Sequence, residues 1–215
     1  MNKKAVIFDM DGVLIDSEPV YLQIFKQFLE ENGCRVREDI MRAIAGASAK
    51  QTWAYMAQMW KEPIEPEELH REFRRQYAAF QIPYREVMFD GVKELLKLLK
   101  DSGVVIALAS SSSERAIKRM LSETGTEPYF SVVVSGELFK ESKPNPEIYL
   151  YTLAQLKLPA ADCLVVEDST YGIQAAKAAG ITVAAVKDDR FSYDQSGADY
   201  IIERTADLAQ VLDIL

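Results

Sequence analysis

Residues Ala5-Val6-Ile7-Phe8-Asp9-Met10-Asp11-Gly12 run from an unbroken apolar stretch into two acids and a glycine. A short apolar run that ends abruptly in charge suits a strand buried on both faces. In extended chain, side chains at i and i+2 share a face roughly 6–7 Å apart, so the Asp9 and Asp11 carboxylates are expected to enter one pocket. Gly12 then permits a sharp turn without a Cβ clash.

Five further short β-branched runs follow: Val104 to Ala109, Val132 to Val134, Leu164 to Val166, Thr182 to Val186 and Tyr200 to Ile202. Between most of them lie stretches of helical period, such as Val92, Leu95, Leu96 and Leu99 closed by Gly103, or Ile173 to Ala179 closed by Gly180. Continuous apolar strands alternating with helices predict an α/β fold, a doubly wound, mostly parallel sheet covered on both faces. Residues 1–15 and 86–215 are assigned to this core. Residues 16–85 contain no comparable strand and are predicted to form an inserted helical domain. There Tyr21, Ile24, Phe25, Phe28 and Leu29 fall on one helix face, followed by the stripes Trp53, Met56, Ala57, Trp60 and Leu69, Phe73, Tyr77, Phe80.

The 215 residues suffice for one domain plus an insertion, and a composition 48% hydrophobic and 27% charged is that of a folding chain. A formal charge of −8 argues against a nucleic-acid partner, which would need many Lys and Arg contacts. It does not exclude a small phosphorylated ligand held by local cations. No uncharged run approaches the roughly twenty residues that span a bilayer, and no membrane partner is expected. Cys34 and Cys163 lie far apart without zinc-ligand spacing and read as packing residues of a cytoplasmic protein. His70, the single histidine, sits in a charged helix and is expected at the surface. Arg71, Arg74 and Arg75 share that helix with Glu67, Glu68 and Glu72 and read as a solvated face.

Open parallel sheets bind ligands beyond the carboxyl ends of their strands. Besides Asp9 and Asp11, that edge should carry Ser110 and the pair Glu167-Asp168. Four acids near one point repel one another unless a cation sits among them, and an oxygen-only donor set suits Mg²⁺. Lys143, within Ser142-Lys143-Pro144-Asn145-Pro146, is fixed in direction by its prolines. Ser110, with Ser111 to Ser113 opening a helix at Glu114, offers hydroxyls and backbone N–H groups for phosphate oxygens, and Ser111 with Glu114 fits a helix-capping box.

Asp9-Met10-Asp11-Gly12, Ser110, Lys143 before proline, and Glu167-Asp168 resemble, in order and strand-end placement, the four motifs of the haloacid dehalogenase-like superfamily. The helical insertion resembles the small cap of its β-phosphoglucomutase-like phosphatases, and the resemblance covers essentially the whole chain. It implies a Rossmann-like core, Asp9 as nucleophile forming an aspartyl-phosphate, and Asp11 as general acid and base. It further implies Mg²⁺ held by Asp9, the Asp11 carbonyl, Glu167 and Asp168, and phosphate held by Ser110, Ser111 and Lys143. The expected activity is that of a phosphatase on a small phosphorylated metabolite such as a sugar phosphate, with Gly46, Ser48 and Lys50 in the cap loop as substrate contacts. The alternative is a phosphomutase of the same family. Such mutases carry a His where this chain has Tyr21 and an Arg where it has Ala49, although Lys50 is adjacent. A carbon–halogen hydrolase is disfavoured by Asp11, and a non-catalytic binder by the completeness of the motifs. The sequence specifies no oligomeric state, and a monomer is compatible with it.

Overall fold

The computed structural model describes residues 3–45, 47, 49–191 and 193–213, so Gly46 and Ser48 lie outside the described residues. The chain divides into two compact units, one of residues 1–16 with 84–215 and one of residues 17–83.

The larger unit is built on a six-stranded sheet in the order β3-β2-β1-β4-β5-β6, with every pairing parallel. Its strands are β1 (Ala5–Phe8), β2 (Val105–Ser110), β3 (Val132–Ser135), β4 (Cys163–Glu167), β5 (Thr182–Val186) and β6 (Tyr200–Ile202). The apolar runs of the sequence correspond to these six strands to within one or two residues. All four residues of β1 are buried, as a central strand covered on both faces requires. The helices of this unit are α5 (Val92–Asp101), α6 (Glu114–Thr124), α7 (Glu147–Leu156), α8 (Thr170–Ala178) and α9 (Leu208–Val211). On one face Ile7, Ala109, Val134, Val165 and Ala185 pack with Ile148, Tyr149 and Leu153 of α7 and Ile173 and Ala176 of α8.

The strand order reverses direction at β1, which lies between β2 and β4. In such sheets the crevice at that switch point, beyond the carboxyl ends, is where ligands bind. Asp9 follows β1 there, and its amide donates to Val166 O of β4 at 2.9 Å. The segments that leave and re-enter this unit are paired, Asp16 N donating to Val87 O at 2.7 Å and Phe89 N to Leu14 O at 3.0 Å.

The smaller unit is helical: α1 (Glu18–Glu31), α2 (Glu38–Ile44), α3 (Ala49–Ala57) and α4 (Pro66–Gln76). Phe25, Phe28 and Leu29 of α1 join Met41, Trp53, Met56 and Leu69 in one core, with Phe73 and Tyr77 against it. His70 departs from expectation. It is only partly exposed, because its position on α4 stacks the ring on Trp53 at 4.4 Å and 17°. Burial there, reinforced by Arg74, lowers its pKa. Arg75 pairs with Glu72 of the same helix and is exposed, in keeping with a solvated face. No helix among the described residues is long and apolar enough to cross a membrane.

Candidate active site

The loop after β1 folds back within one turn, Leu14 N donating to Met10 O at 2.9 Å and Gly12 N to Ile15 O at 2.8 Å. Gly12 has φ +73°, and a Cβ there would overlap the Asp168 carboxylate. Glycine therefore meets two demands at once, a left-handed backbone and the close approach of β4's acid.

Lys143 reaches into the sheet edge from the loop before α7. Its Nζ donates to Asp9 Oδ1 at 2.6 Å, to Glu167 Oε1 at 2.6 Å and to Ala109 O at 3.2 Å, which uses all three ammonium hydrogens. Glu167 is fully buried and saturated: it also accepts from Tyr149 OH at 2.8 Å, Asp168 N at 3.1 Å, Ser169 Oγ at 3.1 Å and Ser169 N at 3.3 Å. A Cβ on Gly172, in the first turn of α8, would overlap this carboxylate. Gly172→Ala is accordingly expected to lower stability by about 1–3 kcal/mol through overpacking, measurable by urea unfolding.

Burial raises the Asp9 pKa to about 7; Lys143 pulls it down, while Glu167 and Asp11 push it further up. Asp168 is raised well above the ordinary carboxylate range by burial, then by the negative charges of Glu167 and Asp9. Burial would also raise Glu167, but Lys143 and the donors around it hold it below its ordinary value. One ammonium thus satisfies one carboxylate fully and leaves an excess of negative charge on the others. Oxygens of Asp9, Glu167 and Asp168 lie within 4.8 Å of one another, and this is the set of acids close enough to share one ion among the described residues. Such an all-oxygen, electron-rich set fits a hard divalent cation.

The Asp11 carboxylate is not in that set. It accepts a hydrogen bond from Ser112 Oγ at 2.9 Å, a contact that sequence reasoning missed. Ser112 is itself held, its amide donating to Ser110 Oγ at 3.0 Å and its carbonyl accepting from Ser135 Oγ at 2.8 Å. Ser110 is buried at the end of β2, whereas Ser111 is exposed. The capping box expected at Ser111 is replaced by Ser113, whose side chain accepts from Ala116 N at 3.2 Å. In a run of four serines, spacing alone does not choose the cap, although the helix begins at Glu114 as the sequence predicts. Ser169 caps α8, accepting from Gly172 N at 3.0 Å. Gln195 straps the edge from outside, its Nε2 donating to Asp168 O at 2.6 Å and Val186 O at 2.7 Å. Lys50, in the first turn of α3 in the smaller unit, is exposed.

A parallel sheet with carboxylates, a lysine and a serine hydroxyl gathered at its switch point defines an α/β enzyme of the phosphotransfer type in its architecture. The chain belongs to the haloacid dehalogenase-like hydrolases, whose family model matches residues 6–186. It is 35% identical over 184 residues to the phosphorylated carbohydrates phosphatase of Thermotoga maritima, covering 83% of this chain and 82% of that protein. It is also 30% identical over 211 residues to the β-phosphoglucomutase of Bacillus subtilis, covering 95% of this chain and 91% of that protein. A crystal structure of a putative β-phosphoglucomutase from Thermotoga maritima superposes with a TM-score of 0.75 at 31% identity, over 98% of each chain.

Proposed function

We propose that this protein is a magnesium-dependent phosphatase acting on a small phosphorylated metabolite, a sugar phosphate being the leading class, through an aspartyl-phosphate on Asp9. The observation that carries this reading is the pairing of a buried Asp9 with Lys143 beside a separately held acid, Asp11. The likeness to the phosphorylated carbohydrates phosphatase supports the substrate class.

Lys143 holds Asp9 Oδ1, which leaves Oδ2 as the attacking atom. Oδ2 bonds to phosphorus while the ester P–O bond breaks, and Asp11 gives its proton to the departing oxygen. Ser112 Oγ donates to Asp11 Oδ2 and fixes the direction of that carboxyl group. In the second half, Asp11 takes a proton from water, whose oxygen attacks phosphorus and releases inorganic phosphate with Asp9 restored. Ser110 Oγ accepts from Ser112 N and keeps its own hydrogen for a phosphate oxygen, and Lys143 neutralises the group. Asp9 and Asp168 would hold Mg²⁺, with Glu167 and the main-chain carbonyl of Asp11; the donors already on Glu167 limit its share. When bound, the cation offsets the negative charge that phosphate and carboxylate bring together.

The helical unit 17–83 is the cap of this reading, and Gly46, Ser48 and Lys50 are the substrate contacts it would supply. A phosphomutase is the second reading, favoured by the match to β-phosphoglucomutase over nearly the whole chain. Tyr21 and Ala49 stand against it.

A panel of sugar phosphates assayed with and without Mg²⁺ separates the two. Net phosphate release that EDTA abolishes and Mg²⁺ restores is the expected result. Conversion of a hexose 1-phosphate to its 6-phosphate without release would establish the mutase instead.

A further inference from the structure

We propose that Tyr149 is a positioning residue: its hydroxyl shares Glu167 Oε1 with Lys143, which keeps the ammonium centred between Glu167 and Asp9, where its charge attracts an incoming phosphate. This rests on the phosphotransfer reading of the site.

Tyr149 lies in the first turn of α7, six residues after Lys143, and is fully buried among Ile148, Leu153 and Val134. A phenylalanine would fill this apolar volume equally well, and a buried hydroxyl without a partner is costly. The hydroxyl has a partner, and it is the oxygen that Lys143 also contacts: Tyr149 OH lies 2.8 Å and Lys143 Nζ 2.6 Å from Glu167 Oε1. The lysine Nζ also lies 4.9 Å from the centroid of the tyrosine ring, within cation–π range. One side chain therefore touches both members of the buried ion pair.

A carboxylate oxygen has two lone pairs, and here the tyrosine and the lysine take one each. Without the hydroxyl, Oε1 is left to the ammonium alone, which is then drawn toward Glu167 and away from Asp9 Oδ1. The grip on phosphate weakens while the apolar packing of the ring is kept. Tyr149→Phe isolates the hydroxyl, and Tyr149→Leu removes the ring as well.

The test is calorimetric binding of inorganic phosphate to wild type and both variants in magnesium buffer, alongside thermal unfolding and phosphate-release kinetics. Tyr149→Phe should raise the phosphate Kd about three- to tenfold, the effect of one hydrogen bond, with KM rising in step. Tyr149→Leu should raise the Kd further. A tyrosine that only packs would lower the unfolding temperature and the active fraction but leave the Kd of folded molecules unchanged. An unchanged Kd in Tyr149→Phe, with wild-type turnover intact, overturns the proposal and spares the phosphatase reading. A raised Kd with no ester hydrolysed by wild type upholds the proposal and removes the phosphatase reading. Absence of phosphate binding to wild type overturns both.

Discussion

Asp9→Asn is expected to reduce phosphate release by on the order of 10⁴-fold or more, since the amide cannot form the covalent intermediate. The same substitution should stabilise the metal-free protein. Burial raises the Asp9 pKa from 3.8 to about 7. An acid whose folded pKa exceeds its unfolded value holds its proton more tightly when folded, so rising pH disfavours the folded state between those two values. The penalty is complete above pH 7 and absent below pH 4. Unfolding temperatures in EDTA should therefore place Asp9→Asn above wild type at pH 8, with the gap closing steadily toward pH 4. Mg²⁺ should stabilise wild type more at pH 8 than at pH 5, because a cation binds the ionised carboxylates. An acid site with an ordinary pKa would show a gap independent of pH above 5.

Lys143→Met is expected to be the most destabilising single change at the site, by about 3–5 kcal/mol, because it leaves Glu167 buried without its counter-ion. Glu167 is held below its ordinary pKa only against the opposing effect of burial. With the ammonium gone, burial prevails and the folded protein prefers the protonated acid. The variant should then lose stability as pH rises, with its deficit smaller at pH 5 than at pH 8. Adding Glu167→Gln removes the stranded charge and should recover part of the loss in denaturant unfolding. A double variant no more stable than Lys143→Met alone would show that the ion pair is not what the lysine contributes.

The strands were legible in the sequence because a central parallel strand is apolar without interruption, and charge can enter only at its end. That rule also found Asp9, Ser110, Glu167 and Asp168, each at the carboxyl end of a strand or the next residue. Lys143 was legible through its prolines. What stayed hidden were partnerships between distant segments: Ser112 with Asp11, Tyr149 with Glu167 and Gln195 with Asp168. A buried tyrosine in a helix stripe looks like core until the acid facing its hydroxyl is known. Ser112 was indistinguishable from its neighbours in a run of four serines. His70 was misplaced for a related reason, since a charged helix can still turn one ring onto a tryptophan of the next helix.

During turnover Asp9 is expected to carry the phosphoryl group. The direct experiment is to mix the enzyme with a sugar phosphate that it hydrolyses and Mg²⁺, quench in acid within one turnover and map the peptides by mass spectrometry. One phosphoryl group on the peptide containing Asp9, absent from Asp9→Asn, is the expected result. Turnover at a normal rate with an unmodified Asp9 peptide, or with the group on another residue, would contradict it.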